Sequence, residues 1–420
     1  MVMHGKLTLK LKHLLQKGVT IPNPESVEIG EEVNPDRISR KAVIHAGSKI
    51  FGRSTLILAD SVIGYEAPAT IENCYIGPSV ALKGGFFRKA AFLKNASMGS
   101  GAHVREGTIL EEHAGGAHTV GLKQTVLFPF VTLGSLINFC DCLMSGGTGR
   151  RDHSEVGSSY IHFNFTPNQD KATPSLLGNV PQGVMLNQMP IFLGGQGGLI
   201  GPLRLAFGTV AAAGTICRKD ELRPNRLIYG GGLKPGNLPV NTGIYRNIER
   251  VVMNNVIYIA NLIALLQWYT HLRSLLLCED FPEALLEGLK ITVNMGIDER
   301  VRQLKKLCEK MPEAMEIYKE QTGEKASELI VRQKTDLFEQ TSALEAAFSQ
   351  LRRIEGNLQH RDTFLETIQK KAGRHGRDYI QVIKHLTSEE TTAGTLWLRE
   401  IVDRITIDFF ENLPAFRYHI

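Results

Sequence analysis

Two stretches of the 420-residue sequence concentrate side chains capable of chemistry. Residues 139–155 carry Cys140, Asp141, Cys142, Arg150, Arg151, Asp152 and His153, and residues 164–176 carry Asn164, Asn168, Asp170 and Lys171. Carboxylate and imidazole groups can take up a proton, and a guanidinium can fork onto phosphate oxygens. Arg150-Arg151 fits either a phosphate clamp or a solvated turn. Cys140 and Cys142, with a single residue between them, lack the spacing of a structural zinc site or a redox motif and read as small buried residues.

Both stretches interrupt a six-residue repeat. From Met98 the chain reads Met98-Gly99-Ser100-Gly101-Ala102-His103, then Val104 to Ile109, then Leu110 to Gly115, each unit opening on an aliphatic residue with a small residue fifth. The aliphatic-Gly opening recurs at Ile29-Gly30, Ile63-Gly64, Ile76-Gly77, Val120-Gly121, Leu133-Gly134, Val156-Gly157, Leu177-Gly178, Leu193-Gly194 and Ile200-Gly201. One short strand and one tight turn per unit, three units per coil, gives a triangular solenoid with one aliphatic side chain pointing inward from each face. A helix cannot produce this period, and a sandwich would alternate over longer runs. Breaks in such a period become surface loops, where binding groups collect. Gly194-Gly195-Gln196-Gly197-Gly198 lies inside the repeats and marks turns rather than a phosphate cradle. Lys83-Gly84-Gly85-Phe86-Phe87-Arg88-Lys89 is ambiguous, and outward packing of its two Phe residues on the helical part or a neighbouring subunit is one arrangement it allows.

The chain changes character near residue 244. Of 41 glycines, 34 lie in residues 1–244, which carry a net charge of +7 against −2 for the remainder. This divides the chain into an N-terminal helical lead-in (1–26), the solenoid (27–243) and an α-helical domain (244–420). Pro282 and Pro312 fit first helical positions. From Ile330, apolar residues recur every seventh position through Leu337, Leu344, Leu351, Leu358 and Leu365, predicting one long amphipathic helix of coiled-coil character, stopped by Lys370, Lys371, Gly373 and Gly376. A further helix is expected over Ser388–Leu413. No catalytic constellation stands out in this half.

Composition narrows the function classes. The hydrophobic fraction of 43% is ordinary for a folded protein, and six scattered cysteines are too few for a disulfide framework. Lys6, Lys10 and Lys12 alternate with leucines, so no export signal is read at the N-terminus. The most apolar stretch, Val251–Leu277, contains Asn254, Asn255, Asn261, Gln267, His271 and Arg273, which argues for a buried helix over a membrane span. A reduced, cytoplasmic setting without membrane association is the expectation. The modest basic excess lacks interleaved aromatics, so a phosphorylated or CoA-type ligand is expected rather than nucleic acid.

The repeats resemble those of the hexapeptide-repeat acyltransferases, which fold as a left-handed parallel β-helix, and in particular the acetyltransferase half of the bifunctional enzymes that make UDP-N-acetylglucosamine. Val156-Gly157-Ser158-Ser159-Tyr160-Ile161-His162-Phe163-Asn164-Phe165 is similar to that family's Ile-Gly-Ala-Gly-Thr-Ile-Thr-Cys-Asn-Tyr. Gly208 to Asp220 is similar to its closing coil. The resemblance covers roughly residues 27–220 and implies a homotrimer with ligand clefts between β-helices and acetyl-CoA, or another acyl-CoA, as co-substrate. Carried over by position, Arg105 matches the arginine that grips the substrate phosphate or uridyl group, Asn164 a sugar-contacting asparagine, and Lys171 a lysine of the same loop. Arg151, close to Asn164 in the coils, joins them as a substrate-binding candidate. Ser158, Ala212 and Arg218 fall where acetyl-CoA is held.

One departure bears on the chemistry. The family's proton-accepting histidine corresponds to Phe139, and a neighbouring tyrosine to Cys142, so transfer requires another base, with Asp141, His153 and His162 at hand. His162 itself aligns with a threonine. Three readings follow. The first is an acyltransferase acting on an amino sugar phosphate or a nucleotide sugar. The second is a nucleotide-sugar-binding or scaffold protein that lost the chemistry. The third is a metal-dependent hydratase like the carbonic anhydrases of the same fold, which would place zinc on His103, His113 and His118; the expectation is that no metal is bound and that these are surface or corner histidines.

Overall fold

A computed structural model describes residues 7–230, 232, 235–237 and 239–416. Helix α1 (Leu9–Lys17) leads in, capped by the Thr8 side chain and closed by Gly18 in the left-handed conformation. Short parallel strands then wind into three sheets of ten, eight and ten strands. The first sheet runs from Glu28–Ile29 to Ile216–Cys217, the second from Leu56–Ile57 to Leu203–Leu205, and the third from Val43–Ile44 to Leu227–Ile228. This is a left-handed parallel β-helix followed by an all-α region.

The register shows how the repeat builds the core. On the third sheet Ile63, Leu82, Met98, Gly116, Leu133, Val156, Leu193 and Ala211 pair in succession, one per coil. All of these but Gly116 carry buried apolar side chains, so the aliphatic residue that opens a unit forms one inward column. The glycines that follow mark close approach of neighbouring coils. A Cβ on Gly157 would stand 2.4 Å from the Gly195 nitrogen, and one on Gly194 would stand 2.4 Å from that of Ala213. Asp141 and His113 occupy corner positions with φ of 60°, a conformation that Asp and His tolerate better than bulky or branched residues.

The three faces are not equivalent. In the first sheet exposure alternates, as in Ala102–Val104 and Ile161–Phe163, whose outward side chains meet solvent. In the second sheet every residue of Ala90–Phe92, Thr108–Leu110, Cys142–Met144 and Ser175–Leu177 is buried, because the helical region lies over it. The Phe86-Phe87 pair divides accordingly. Phe87 fills the core, and Phe86 stacks on His103. Successive strand residues point to opposite faces, so two neighbours cannot both face out.

The helices follow in order: α2 (Val180–Gly183) within the solenoid, then α3 (Ile248–Gln267), α4 (Glu283–Glu309), α5 (Met311–Thr322), α6 (Glu328–Glu339), α7 (Leu344–Leu351), α8 (Leu358–His375), α9 (Tyr379–Lys384) and α10 (Ser388–Phe410). The segment Ile248–Leu276 is long and apolar enough to cross a membrane, yet 78% of its most apolar window is buried within the chain. It packs against α4 and α10, and α4 lies along the strands Tyr75–Ile76, Ala90–Phe92 and Thr108–Leu110. Neither proline takes the expected first helical position: Pro312 is the second residue of α5, and Pro282 precedes the first residue of α4.

The single long helix expected from Ile330 is not formed. The heptad run is cut into α6, α7 and α8. Gly356 takes φ of 74°, and the Asn357 side chain caps α8 by accepting from the Gln359 and His360 amides. Leu337, Leu344 and Leu351 of the run are buried in the bundle, whereas Leu358 at the start of α8 is exposed, so the seven-residue spacing does not hold one continuous inward face. The stop at Gly376 and the Thr387-capped α10 agree with expectation.

Candidate functional site

The corner between the first and second sheets gathers four of the candidate residues, Arg105, Asp141, His162 and Asn164. Arg105, just after the strand Ala102–Val104, is half-buried and points an Nη2 at the Cys140 sulfur, 3.8 Å away. Asp141 turns the corner after that cysteine and is buried. Its Oδ2 accepts from Asn164 Nδ2 at 2.7 Å, and its Oδ1 faces Arg300 Nη2 at 2.8 Å. The His162 ring lies beneath, with Nδ1 2.5 Å from the Cys140 carbonyl and Nε2 2.8 Å from Ser175 Oγ. A carbonyl only accepts, so Nδ1 carries the proton and Nε2 accepts from the serine hydroxyl. Burial pushes this imidazole down to about 4, against the opposing pull of Asp141 and the Cys140 carbonyl. It is therefore neutral near pH 7, with both nitrogens engaged. Phe139 is wholly buried, edge-on to Tyr160 and His162.

Arg300 was not foreseen. It is 1% exposed, on helix α4, and its Nη1 donates to the Lys171 carbonyl at 3.1 Å. The signal was there in the helix: Leu289, Val293, Ile297, Leu304 and Leu307 form a buried stripe, and Arg300 occupies its middle. A guanidinium on such a stripe requires a buried anion.

Other helical-region residues hold the loop that carries Lys171. Asn255 Nδ2 donates to the Ala172 carbonyl at 2.9 Å, and Lys310 Nζ donates to the carbonyls of Asn168 and Gln169 at 2.6 and 3.1 Å. Tyr245 donates its phenol to Asp170 Oδ2 at 2.7 Å. The Lys171 side chain itself is exposed.

The remaining candidates lie elsewhere. Arg151 and His153 belong to the hairpin Gly147–Gly149/Asp152–His153, where Arg150 donates to the His113 carbonyl and Arg151 is exposed. Ser158 is exposed at the opposite corner, its Oγ accepting from the Ser135 amide at 3.1 Å. Ala212 is half-buried on a turn beyond Val210–Ala211, and Arg218, also half-buried, donates to the Ile216 carbonyl at 3.2 Å. Among the described residues no group of three His, Cys, Asp or Glu side chains is set to hold a metal ion. His103 stacks on Phe86, His113 on Phe130, and His118 hydrogen-bonds Ser135.

A second buried polar cluster joins the two halves of the chain. Tyr269 donates to Glu111 Oε1 at 2.5 Å, Arg273 pairs with Glu112, and the Arg273 guanidinium sits between the rings of Phe281 and Tyr379, at 4.5 and 3.9 Å from their centroids. Burial, then the neighbouring Glu112 charge, pushes Glu111 up to about 7.

A left-handed β-helix with a polar corner of this kind fits a hexapeptide-repeat acyltransferase. The relatives it matches are proteins named bifunctional protein GlmU. That of Thermotoga petrophila is 27% identical over 212 residues, 50% of this chain and 42% of the relative. Those of Pelobacter propionicus and Sorangium cellulosum are 26% and 23% identical, covering 50% and 56% of this chain and 40% and 44% of theirs. The matched region thus spans less than half the length of each relative. No protein-family model matches the chain. A solved structure, the polysialic acid O-acetyltransferase OatWY, is 12% identical over 55% of this chain and 92% of its own, with a TM-score of 0.18, too low to carry an argument.

Proposed function

We propose that the protein is an acyl-CoA-dependent acyltransferase whose acceptor is an amino sugar phosphate or a nucleotide sugar. The observation that carries this reading is the convergence of Arg105, Asp141 and Asn164 at one corner of a β-helix that is similar in sequence to GlmU proteins. In the reaction the acceptor amine attacks the thioester carbonyl carbon. The C–N bond forms, the C–S bond breaks, the amine gives up a proton to a base and CoA leaves as the thiol.

Arg105 and Lys171, with Arg151 from the hairpin, are assigned to the anionic part of the acceptor, and Asn164 to its sugar. Ser158, Ala212 and Arg218 are assigned to acyl-CoA. Asp141 is our first choice of base over His153 and His162, because it alone touches Asn164. Arg300 would then position it. The same reading includes a homotrimer. Its support is an outward ladder of Phe192, Val210 and Leu227 on the third sheet, each at least 38% exposed and paired in register. A cytoplasmic setting is supported by six unpaired cysteines, five of them buried.

A second reading, a nucleotide-sugar-binding protein without turnover, is favoured by the burial of Phe139 and the sealed, neutral His162. Turnover separates the two. The full chain mixed with acetyl-CoA and a panel of amino sugar phosphates is expected to release free thiol, with Asn164→Ala raising the KM for the acceptor. No thiol release with any amine, alongside nucleotide-sugar binding that Asn164→Ala abolishes, would establish the binding protein instead.

A further inference from the structure

A cavity of about 520 Å³ opens between the last coils of the β-helix and helices α3 and α10, on the side of the second sheet. Its size is that of a small-molecule pocket, and such pockets favour the seam between two structural units. Leu176, Leu205 and Phe207 line it from the solenoid, and Ile257 and Val402 from the helices. Its charged groups are Arg204, Arg399 and Asp403. Burial raises Asp403 above its ordinary value, against the opposing charge of Arg399. Deeper polar groups are occupied within the fold. Asn261 Oδ1 accepts from the Val180 amide at 2.9 Å, and Thr406 Oγ1 donates to the Val402 carbonyl at 2.7 Å.

The cavity offers an apolar wall and two guanidinium groups against one carboxylate, an excess of positive charge that suits a negatively charged head on an apolar body. We propose that it binds a small anionic amphipath, an acyl carboxylate or an alkyl phosphate, with Arg204 and Arg399 at the head group and Leu176, Leu205, Phe207, Ile257 and Val402 along the chain. A ligand here touches both halves of the protein and so ties the helical region to the solenoid. The proposal stands apart from acyl transfer: Ser158, Ala212 and Arg218 are absent from the cavity wall.

The test uses the full chain with decanoate, decyl phosphate and decyltrimethylammonium, each below its micellar concentration, followed by calorimetry and thermal melts. One or both anions are expected to bind and to raise Tm by a few degrees, since a ligand that binds only the folded state stabilises it. The cation should do neither. Comparison of the two anions distinguishes a carboxylate from a phosphate head. Arg399→Gln, at an exposed helical position, should weaken anion binding about tenfold or more, the loss of one charge-assisted contact. Val402→Trp should block the chain site while the protein still melts cooperatively. Equal binding of the cation, anion binding indifferent to both substitutions, or no binding of either anion would overturn the proposal.

Discussion

Arg300 on helix α4 reaches across the seam between the two halves of the chain and meets the Asp141 carboxylate at 2.8 Å, with both side chains almost fully buried. The pair does two things at once. It docks α4 against the corner of the β-helix, and it fixes the carboxylate that Asn164 also contacts. A solenoid lacking the helices would carry Asp141 at that corner without its cation.

Removing one partner leaves the other charge buried and uncompensated, which costs about 3–5 kcal/mol. Arg300→Met is therefore expected to lower stability by that order in urea denaturation. Asp141→Leu combined with Arg300→Met should be less destabilising than the two single effects added together, by at least about 1 kcal/mol. Strict additivity would mean that the two groups do not interact in solution.

Two glycines of α4 test how closely this helix lies on the second sheet. A Cβ on Gly288 would fall 2.3 Å from the Tyr75 ring, at Cγ, where the side chain cannot swing clear. At Gly296 the nearest atoms are at 3.5 and 3.6 Å, an ordinary contact. Gly288→Ala should thus cost about 1–3 kcal/mol through overpacking. Gly296→Ala should be neutral or stabilising by up to about 1 kcal/mol, because alanine is the better helix former. Equal melting temperatures for the two variants would contradict the packing described for α4.

The contrast between what was legible in the sequence and what was not follows from range. The aliphatic residues of Ile63, Leu133, Val156 and Leu193 announce the solenoid because each repeats the same local task, coil after coil, and the register bears this out. Asn164 could be singled out by its place after a recognisable coil. Arg300 could not be paired with Asp141, since the contact joins segments with no shared period, although a lone guanidinium on an apolar stripe was visible. The heptad spacing from Ile330 misled because bundle helices and coiled coils bury the same apolar positions. Gly356 and Asn357, a break and a cap, outweigh it.

His162 gives a stability effect of definite sign. Its ionisation is shifted down from 6.5 to about 4 by burial, so the folded state resists protonation while the unfolded chain accepts it. The stabilisation is fully present above the unfolded value near 6.5 and is lost as pH falls from there towards 4. His162→Gln should therefore gain on the parent as pH falls from 7 through 5.5 to 4.5, the difference in denaturation midpoint widening towards the acid end, because no imidazole remains to be protonated in the unfolded state. Parallel curves for the two proteins would show that the ring is not sealed as described.

Glu111 acts in the opposite direction. Burial, reinforced by Glu112, raises its ionisation from 4.5 to about 7, so the folded protein favours the protonated acid more than the unfolded chain does. The associated stabilisation is complete below about 4.5 and is lost as pH rises through about 7. Above that range the seam holds two adjacent carboxylates, Glu111 and Glu112, against the single guanidinium of Arg273. Glu111→Gln keeps an oxygen to accept from the Tyr269 phenol and removes the charge. The variant should therefore gain on the parent as pH rises from 5 to 8, with the difference in Tm opening most steeply between about 4.5 and 7 and levelling off above that. The His162 and Glu111 windows overlap with opposite sign, so the two contributions largely offset each other in the parent, and the two single variants should tilt the profile in opposite directions. A Tm difference between Glu111→Gln and the parent that stays constant across this range would mean that Glu111 is ionised, and compensated, in the folded protein at every pH tested.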